Sequence, residues 1–495
     1  MNILEYINKK TLEYLEQSPK AERKKIGQFF TSAETALFMA QLFSIANHKK
    51  ELSILDPGAG SGILSAALIE YLQSFPDLEL IRLTCYENNK KILELLRNNL
   101  EWIAAHSSIK IEFQIIEDNY ILVQNEDYNG YIGASFVPDQ YDFVICNPPY
   151  MKIAANAHEA LVMKDVCYGA PNLYFLFAAM GLFNLRDNGE MVIIMPRSWT
   201  SGVYFKKFRD KFLRQCVLEN IHLFVSRDKV FDAEDVLQET MIVKVRKTTA
   251  KPSTVLITTT LSNRDFSQRT KFVAPYNDIV RGKEQYVFLA TDLQELETLR
   301  LLDEWKETLP TLGLRMKTGL TVDFRNRDLL RDTPENRTVP LFYSQHIREG
   351  RIVFPVGTEK EYILADQKGL LQKNSNYLFV KRFTAKEEHR RLQCGVYLSK
   401  SFPGYQMIST QNKINFIAGE HELSECVVHG LYVLFNSTLY DRYYRILNGS
   451  TQVNSTEVNA MPMPPMHVIE AMGRDLLEKK DMSEQSCDLI LRDYL

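Results

Sequence analysis

The stretch Leu52-Ser53-Ile54-Leu55-Asp56-Pro57-Gly58-Ala59-Gly60-Ser61-Gly62-Ile63-Leu64-Ser65-Ala66-Ala67-Leu68-Ile69 runs from a short apolar segment through a glycine-rich turn into an apolar helix. Strand, glycine turn and helix in that order are the start of a nucleotide-binding α/β fold: the glycines permit the tight turn and let a ligand reach the backbone. The helix N-terminus that follows favours an anion. No Lys-Ser or Lys-Thr pair comes after the glycines, so a phosphate-cradling P-loop is excluded. A glycine turn alone is equally a plain loop, and the decision rests on what the neighbouring strands deliver.

The second strand, Ile81 to Tyr86, ends in Glu87, where an open parallel sheet would hold a carboxylate beside its ligand. Glu87 can take two ribose hydroxyls; the plainer alternative is a charge favoured by the dipole of a helix starting at Asn88. The third strand, Ile111 to Ile116, is followed by Asp118, placed to accept from an adenine amine or else simply a solvated turn residue. The fourth, Tyr141 to Cys146, runs into Asn147-Pro148-Pro149-Tyr150. An exocyclic amine on a flat ring is a poor nucleophile because its lone pair is delocalised, so a methylating site must accept its hydrogens and pull the nitrogen towards tetrahedral geometry. The Asn147 side-chain oxygen and the Pro148 carbonyl suit that task. Two prolines without N–H donors fix the backbone between them, and Tyr150 can stack on the ring. On its own, Asn-Pro-Pro is also an ordinary strand-ending turn.

Three ligand-facing groups at successive strand ends and an amide clamp at a fourth form the pattern of an S-adenosylmethionine methyltransferase. The chain resembles the DNA adenine-N6 methyltransferases of gamma motif order, and within them the stand-alone methyltransferases of type II restriction-modification systems. The resemblance is tight over residues 27 to about 245 and implies a Rossmann-like, doubly wound α/β sheet followed by a C-terminal mixed α+β target-recognition domain. It adds Gly27-Gln28-Phe29-Phe30-Thr31-Ser32, in which Phe30 and Thr31 should contact the methionine moiety, although Thr31 or Ser32 could equally be a helix N-cap. It also adds Phe231, ahead of Glu239 to Val243, as the second face for the extruded base, with a core phenylalanine as the default alternative. The implied cofactor set is Phe30, Thr31, Asp56, Gly58, Ala59, Gly60, Glu87, Asn88, Asp118, Asn119, Asn147 and Pro149. The implied catalytic set is Asn147, Pro148, Pro149, Tyr150 and Phe231. Gly58-Ala59 departs from the residues common at that turn; the clamp does not depart at all.

At 495 residues the chain exceeds what one core usually supports. A catalytic domain is expected over 1–250, a connection rich in small polar residues from Thr248 over 251–305, a recognition domain over 306–466, and an amphipathic helical tail over 467–495. That tail is a packing strut or a contact with a second subunit. A net charge of −3 is not the balance of a surface that meets nucleic acid everywhere, so phosphate contacts must be local. Basic and aromatic residues interleave around Arg315 and Lys317, around Arg325 and Arg327, and around Lys381 and Arg382 with Lys386, His389, Arg390 and Arg391 behind them. These are the DNA-binding candidates, against the usual reading of charge runs as solvated faces. Lys381-Arg382-Phe383 and Thr451-Gln452-Val453-Asn454 also resemble segments of recognition domains in this group.

No apolar stretch reaches the roughly 18 residues that span a bilayer, and the N-terminus lacks a signal-peptide core, so a cytoplasmic monomer or homodimer is expected. Seven scattered cysteines offer neither a zinc spacing nor a redox pair, and no metal site is expected. The first cofactor motif begins at residue 27, so a fused nuclease ahead of it is not expected, whereas a separate cognate endonuclease is compatible. The expected partners are S-adenosylmethionine and double-stranded DNA. The rivals are a methyltransferase acting on RNA or on a protein glutamine, which share the clamp, and a DNA-binding relative that has lost catalysis.

Overall fold

A computed structural model describes residues 2–17, 30–46, 48–130, 140–224, 240–385, 388–448 and 450–495. The chain divides into two compact units, Met1–Thr291 and Asp292–Leu495.

The first unit is built on one nine-stranded sheet. Its strands are β1 (Glu51–Pro57), β2 (Leu80–Tyr86), β3 (Lys110–Ile116), β4 (Tyr141–Cys146), β5 (Leu185–Pro196), β6 (Val217–Phe224), β7 (Thr240–Arg246), β8 (Thr254–Thr260) and β9 (Thr270–Pro275), in the order β3-β2-β1-β4-β5-β7-β6-β8-β9. Strands β1 to β5 are parallel, and β1, β2 and β4, inside the sheet, are buried almost throughout while the edge strand β3 is not. β7 runs antiparallel to both β5 and β6. From β1 the chain winds outward to β3, then returns to the far side of β1 for β4. This reversal opens a crevice at the carboxyl ends of β1 and β4, where open α/β sheets bind their ligands.

Helices α1 (Ile3–Gln17), α2 (Ala33–Ala40), α3 (Ile63–Leu72), α4 (Leu93–His106), α5 (Leu173–Asn184) and α6 (Lys206–Gln215) surround this sheet. α1 and α2 both pack on α3, which is apolar almost all round and therefore buried. On α4, Leu96 and Leu100 are buried and Leu95 is half-buried, as their helical spacing predicts.

The expected connection over 251–305 is not a separate linker. β8 and β9 carry the sheet on to Pro275, because Val255 and Ile257 bury completely once β8 pairs with β6. Residues 251–305 are thus largely a sheet edge, with the helix Leu293–Leu302 falling in the second unit.

The second unit holds a six-stranded and a five-stranded sheet. They enclose an aromatic core that includes Phe342, Tyr377, Phe379, Tyr397 and Phe416. The helices Met466–Lys479 and Glu484–Arg492 bury Ile469, Met472, Leu476, Cys487 and Leu491, so residues 467–495 belong to the core of this unit and are not an appended tail. Among the described residues, no helix is long and apolar enough to cross a membrane.

Candidate active site

The glycine turn after β1 works as its sequence dictates. Gly58, Gly60 and Gly62 all have positive φ, at 73°, 60° and 80°, which side-chain-bearing residues rarely adopt. The turn is tied to the second strand: the N–H groups of Gly58 and Ala59 both donate to the Tyr86 carbonyl, at 2.8 and 2.9 Å.

Glu87 continues that strand and is almost fully buried. It accepts from the Gly60 N–H at 2.9 Å and the Asn89 N–H at 2.8 Å, so the two ends of the crevice are joined through its carboxylate. α4 does not begin until Leu93, which removes the helix-dipole reading of Glu87. Burial pushes its carboxyl above the usual range, against the pull of the backbone donors from Asn89, Gly60 and Asn88.

A cavity of about 400 Å³ lies over the carboxyl ends of β1, β2, β3 and β4. Of the expected cofactor set, Phe30, Thr31, Gly58, Ala59, Gly60, Glu87, Asn88, Asp118, Asn119, Asn147 and Pro149 line it, together with Pro148. Asp56 does not. It is fully buried below the turn, where its Oδ2 accepts from the Ser65 hydroxyl at 2.6 Å and clips the turn to α3. Its Oδ1 has no partner among the described residues. That burial, with the nearby charge of Glu87 adding to it, pushes the Asp56 carboxyl up to about 7.

β4 delivers the clamp. The Asn147 Nδ2 donates to the Thr31 hydroxyl at 3.0 Å, so the carboxamide is oriented by a residue that precedes the sheet. Ser32, and not Thr31, caps α2, leaving Thr31 for the cavity. Tyr150 does not line this cavity. It is buried, its hydroxyl donates to the Ile194 carbonyl at 3.3 Å, and its ring meets Tyr174 edge-on at 6.3 Å. Phe231 and residues 27–29 lie outside the described residues.

The sequence reading left out several lining residues. Glu159 accepts from the Asn119 Nδ2 at 2.8 Å, and Tyr86, Leu173 and Phe177 complete the walls. Asn172 and Tyr174 do not line the cavity: Asn172 caps α5, accepting from the Tyr174 N–H, and Tyr174 is buried. Leu173 and Phe177, one helical turn apart, supply the apolar wall instead.

These residues fit S-adenosylmethionine. A carboxylate has about four lone-pair positions; Glu87 meets backbone donors from Gly60, Asn89 and Asn88 and keeps acceptor capacity for a ribose hydroxyl. Asp118 and Asn119 offer polar edges for an adenine, and the aromatic walls take its faces. The volume lies within the ordinary range for such ligands.

In the second unit the DNA-binding candidates separate. Arg315 and Lys317 project from one face of the strand Leu314–Thr318 and are exposed, as are Arg325 and Arg327. Lys381 donates to Gln393 Oε1 at 2.8 Å, and Arg382 donates to the Asn412 carbonyl at 3.0 Å while lying over Phe383. Behind them the expectation fails. Arg391 is fully buried, bonded to Thr384, Asn448 and Ser450. Arg390 and His389 both pair with Glu484. Arg390 and Arg391 are therefore buried structural residues, His389 is an exposed partner of Glu484, and Lys386 lies outside the described residues. Lys381 to Phe383 and Thr451 to Asn454 pair with each other through the Phe383 and Gln452 bridge and the Val453 N–H bond to the Arg382 carbonyl at 2.7 Å.

The sheet order and the cavity at the ends of four strands are those of an S-adenosylmethionine-dependent methyltransferase. The family described as Eco57I restriction-modification methylase matches residues 14–231. The chain is 33% identical to the type II methyltransferase M.PstI of Providencia stuartii, over 93% of this chain and 90% of that protein. It is 32% identical to the type II methyltransferase M.BsuBI of Bacillus subtilis, over 96% and 94%. The chain belongs to the type II restriction-modification methyltransferases. Its fold is shared with the type IIL restriction-modification enzyme MmeI in complex with DNA, at a TM-score of 0.52 and 12% identity, over 99% of this chain and 74% of that one.

Proposed function

We propose that this protein transfers a methyl group to the N6 amine of an adenine turned out of double-stranded DNA, as a site-specific methyltransferase of gamma motif order in a restriction-modification or epigenetic system. The observation that carries this reading is the position of Asn147 and Pro148. They reach the same cavity as Glu87 and Asn119, with the Asn147 carboxamide held by Thr31.

Its NH2 is committed to Thr31, so the other end of the carboxamide is an acceptor. With the Pro148 carbonyl it receives the two amine hydrogens of the base and draws the nitrogen lone pair out of conjugation. When bound, S-adenosylmethionine supplies a methyl electrophile on a cationic sulfur. The chain's own contribution is alignment, exclusion of water and electrostatic support, which together remove several kcal/mol from a barrier. The amine proton becomes acidic on alkylation, so no strong base is needed. Tyr150 is buried outside the cavity, so in this reading it holds the end of the clamp in place through Tyr174 and the bond to Ile194. The second unit carries the DNA contacts, with Arg315, Lys317, Arg325 and Arg327 as its exposed cations, and extrusion of the base follows the general logic of enzymes that act on bases.

The test offers the protein genomic DNA, ribosomal RNA and peptide-release factors in parallel with methyl-tritiated S-adenosylmethionine. Label is expected in DNA, as N6-methyladenine after digestion. Label confined to RNA or protein, or in a cytosine, would overturn the reading.

A further inference from the structure

We infer that Tyr168 and Tyr204 form an aromatic wedge that enters duplex DNA next to the target adenine and occupies the gap its extrusion leaves. The inference rests on the proposed function above and deepens it by naming residues that pay the unstacking cost.

Isolated apolar side chains on a surface are ordinary. These two rings are not isolated. Tyr168 is 53% exposed and Tyr204 60% exposed, they meet in a T-shaped contact at 5.8 Å, and the neighbouring Val203 is 43% exposed. Two aromatic rings held in contact at the surface present both a stacking face and an edge without further burial.

The platform beneath them is rigid. The turn Val203–Phe205 is fastened from below by Arg209, which is completely buried and donates to the carbonyls of Trp199 at 3.2 Å, Gly202 at 2.9 Å and Ser201. Burying a guanidinium is costly unless it is bonded in this way, and here three of the bonds go to the loop that carries Tyr204, while Nε donates to the Glu284 carbonyl at 3.2 Å. Trp199 is buried alongside.

Both rings are linked to the clamp through neighbouring residues. Phe205, next to Tyr204, packs on Tyr174 at 6.2 Å, and Tyr174 packs on Tyr150. On the other side, Tyr168 lies shortly before Pro171 and Asn172, which pair with Ile153 and Lys152 just past the clamp. The charge around the pair suits a polyanion. Lys152, Lys164 and Lys207 are exposed and have no ion-pair partner among the described residues, whereas the carboxylates Asp165 and Asp210 are paired with Lys211 and Lys206. Unpaired ammonium groups around exposed rings are the combination that tracks phosphates while stacking on bases, and side chains inserted between base steps are an established way to hold a duplex open.

The test uses the full chain and duplexes carrying the motif that it methylates in genomic DNA, in single-turnover methylation. One duplex is fully paired, and the other places an abasic site opposite the target adenine, so that the base is already unpaired. Tyr168→Ala/Tyr204→Ala is expected to methylate the paired duplex about tenfold or more slowly, the scale of a lost base-stacking contact, and the abasic duplex within about twofold of the unaltered protein. Tyr204→Phe should keep the parent rate on both. With 2-aminopurine at the target position, the fluorescence rise on mixing should be lost in the double variant only. Equal rates on the paired duplex, or equal losses on both duplexes in a variant that still binds S-adenosylmethionine, would overturn the wedge and leave the proposed function standing. An unaltered protein that labels no duplex would remove the proposed function and the wedge with it.

Discussion

Asn147 and Thr31, 116 positions apart in the chain, are joined by a 3.0 Å hydrogen bond in which the carboxamide NH2 donates to the threonine hydroxyl. That bond decides which end of the amide is left to accept hydrogens from a substrate amine. Thr31→Val keeps the shape and removes the acceptor. Its expected effect is a fall of about 3- to 10-fold in the turnover rate at saturating S-adenosylmethionine, the worth of one neutral hydrogen bond. Asn147→Ala removes the acceptor itself and should cost on the order of 100- to 1000-fold, as loss of a preorganised polar group at a reacting centre does. Steady-state tritium transfer beside calorimetric titration of the cofactor checks both. A Thr31→Val enzyme with unchanged turnover would show that the clamp does not depend on this bond.

Glu87 bridges the Gly60 and Asn89 backbone N–H groups and faces the cavity. Glu87→Gln keeps the size but removes the charge and turns one acceptor into a donor aimed at a backbone N–H. Hydrogen bonds to a charged group contribute about 1.5–3 kcal/mol, and tenfold in affinity is about 1.4 kcal/mol. S-adenosylmethionine should therefore bind about 10- to 100-fold more weakly, with turnover at saturating cofactor largely kept. Calorimetry with the cofactor alone measures the first, and a variant of parental affinity would remove Glu87 from the binding set.

The strand ends that carry Glu87 and Asn147 are legible in the sequence because apolar runs bounded by Gly58, Gly60 and the two prolines leave few alternatives. The same logic fails for Asp56. Its place in the turn is readable, but its rotation towards Ser65 depends on a helix residue nine positions on. Glu159 is hidden for a related reason, since it meets Asn119 across forty residues of intervening chain. Charge alone misled at Arg391, whose burial follows from the carbonyls and amides that surround it in the fold. The edge strands β8 and β9 were masked by the small polar residues that precede them.

Asp56 gives the folded protein a pH dependence of definite sign. Its carboxyl titrates at about 7 when folded and near 3.9 when unfolded. A raised folded pKa means stability that is fully present below the unfolded value and lost as pH rises through the folded one. Between about pH 4 and 7 the protein should lose up to about 1.4 kcal/mol per pH unit from this group. Asp56→Asn, which keeps an acceptor for Ser65, abolishes that loss. Melting temperatures of the two proteins at pH 5, 6, 7 and 8 should diverge in favour of Asp56→Asn as pH rises; curves that stay parallel would contradict the raised value.

In the second unit, the helices Glu425–Phe435 and Met466–Lys479 cross so closely that backbone meets backbone. A Cβ built on Gly473 would lie 1.8 Å from the Cys426 carbonyl oxygen, and one on Gly430 would lie 1.8 Å from that of Ile469. In an open helix, Gly→Ala stabilises by up to about 1 kcal/mol. Here the atom in the way is backbone and cannot swing aside, so the steric term wins and the helices must separate. Overpacking of this kind costs about 1–3 kcal/mol or more, and for a unit of this size each kcal/mol lowers the midpoint by about 2–4 °C. Gly473→Ala should therefore melt at least about 3 °C lower. Gly369→Ala, where nothing stands within 4 Å of the new methyl, should melt with the parent. Scanning calorimetry of the three proteins decides the matter, and a Gly473→Ala midpoint at or above the parent's would mean that the helix crossing is looser than 1.8 Å implies.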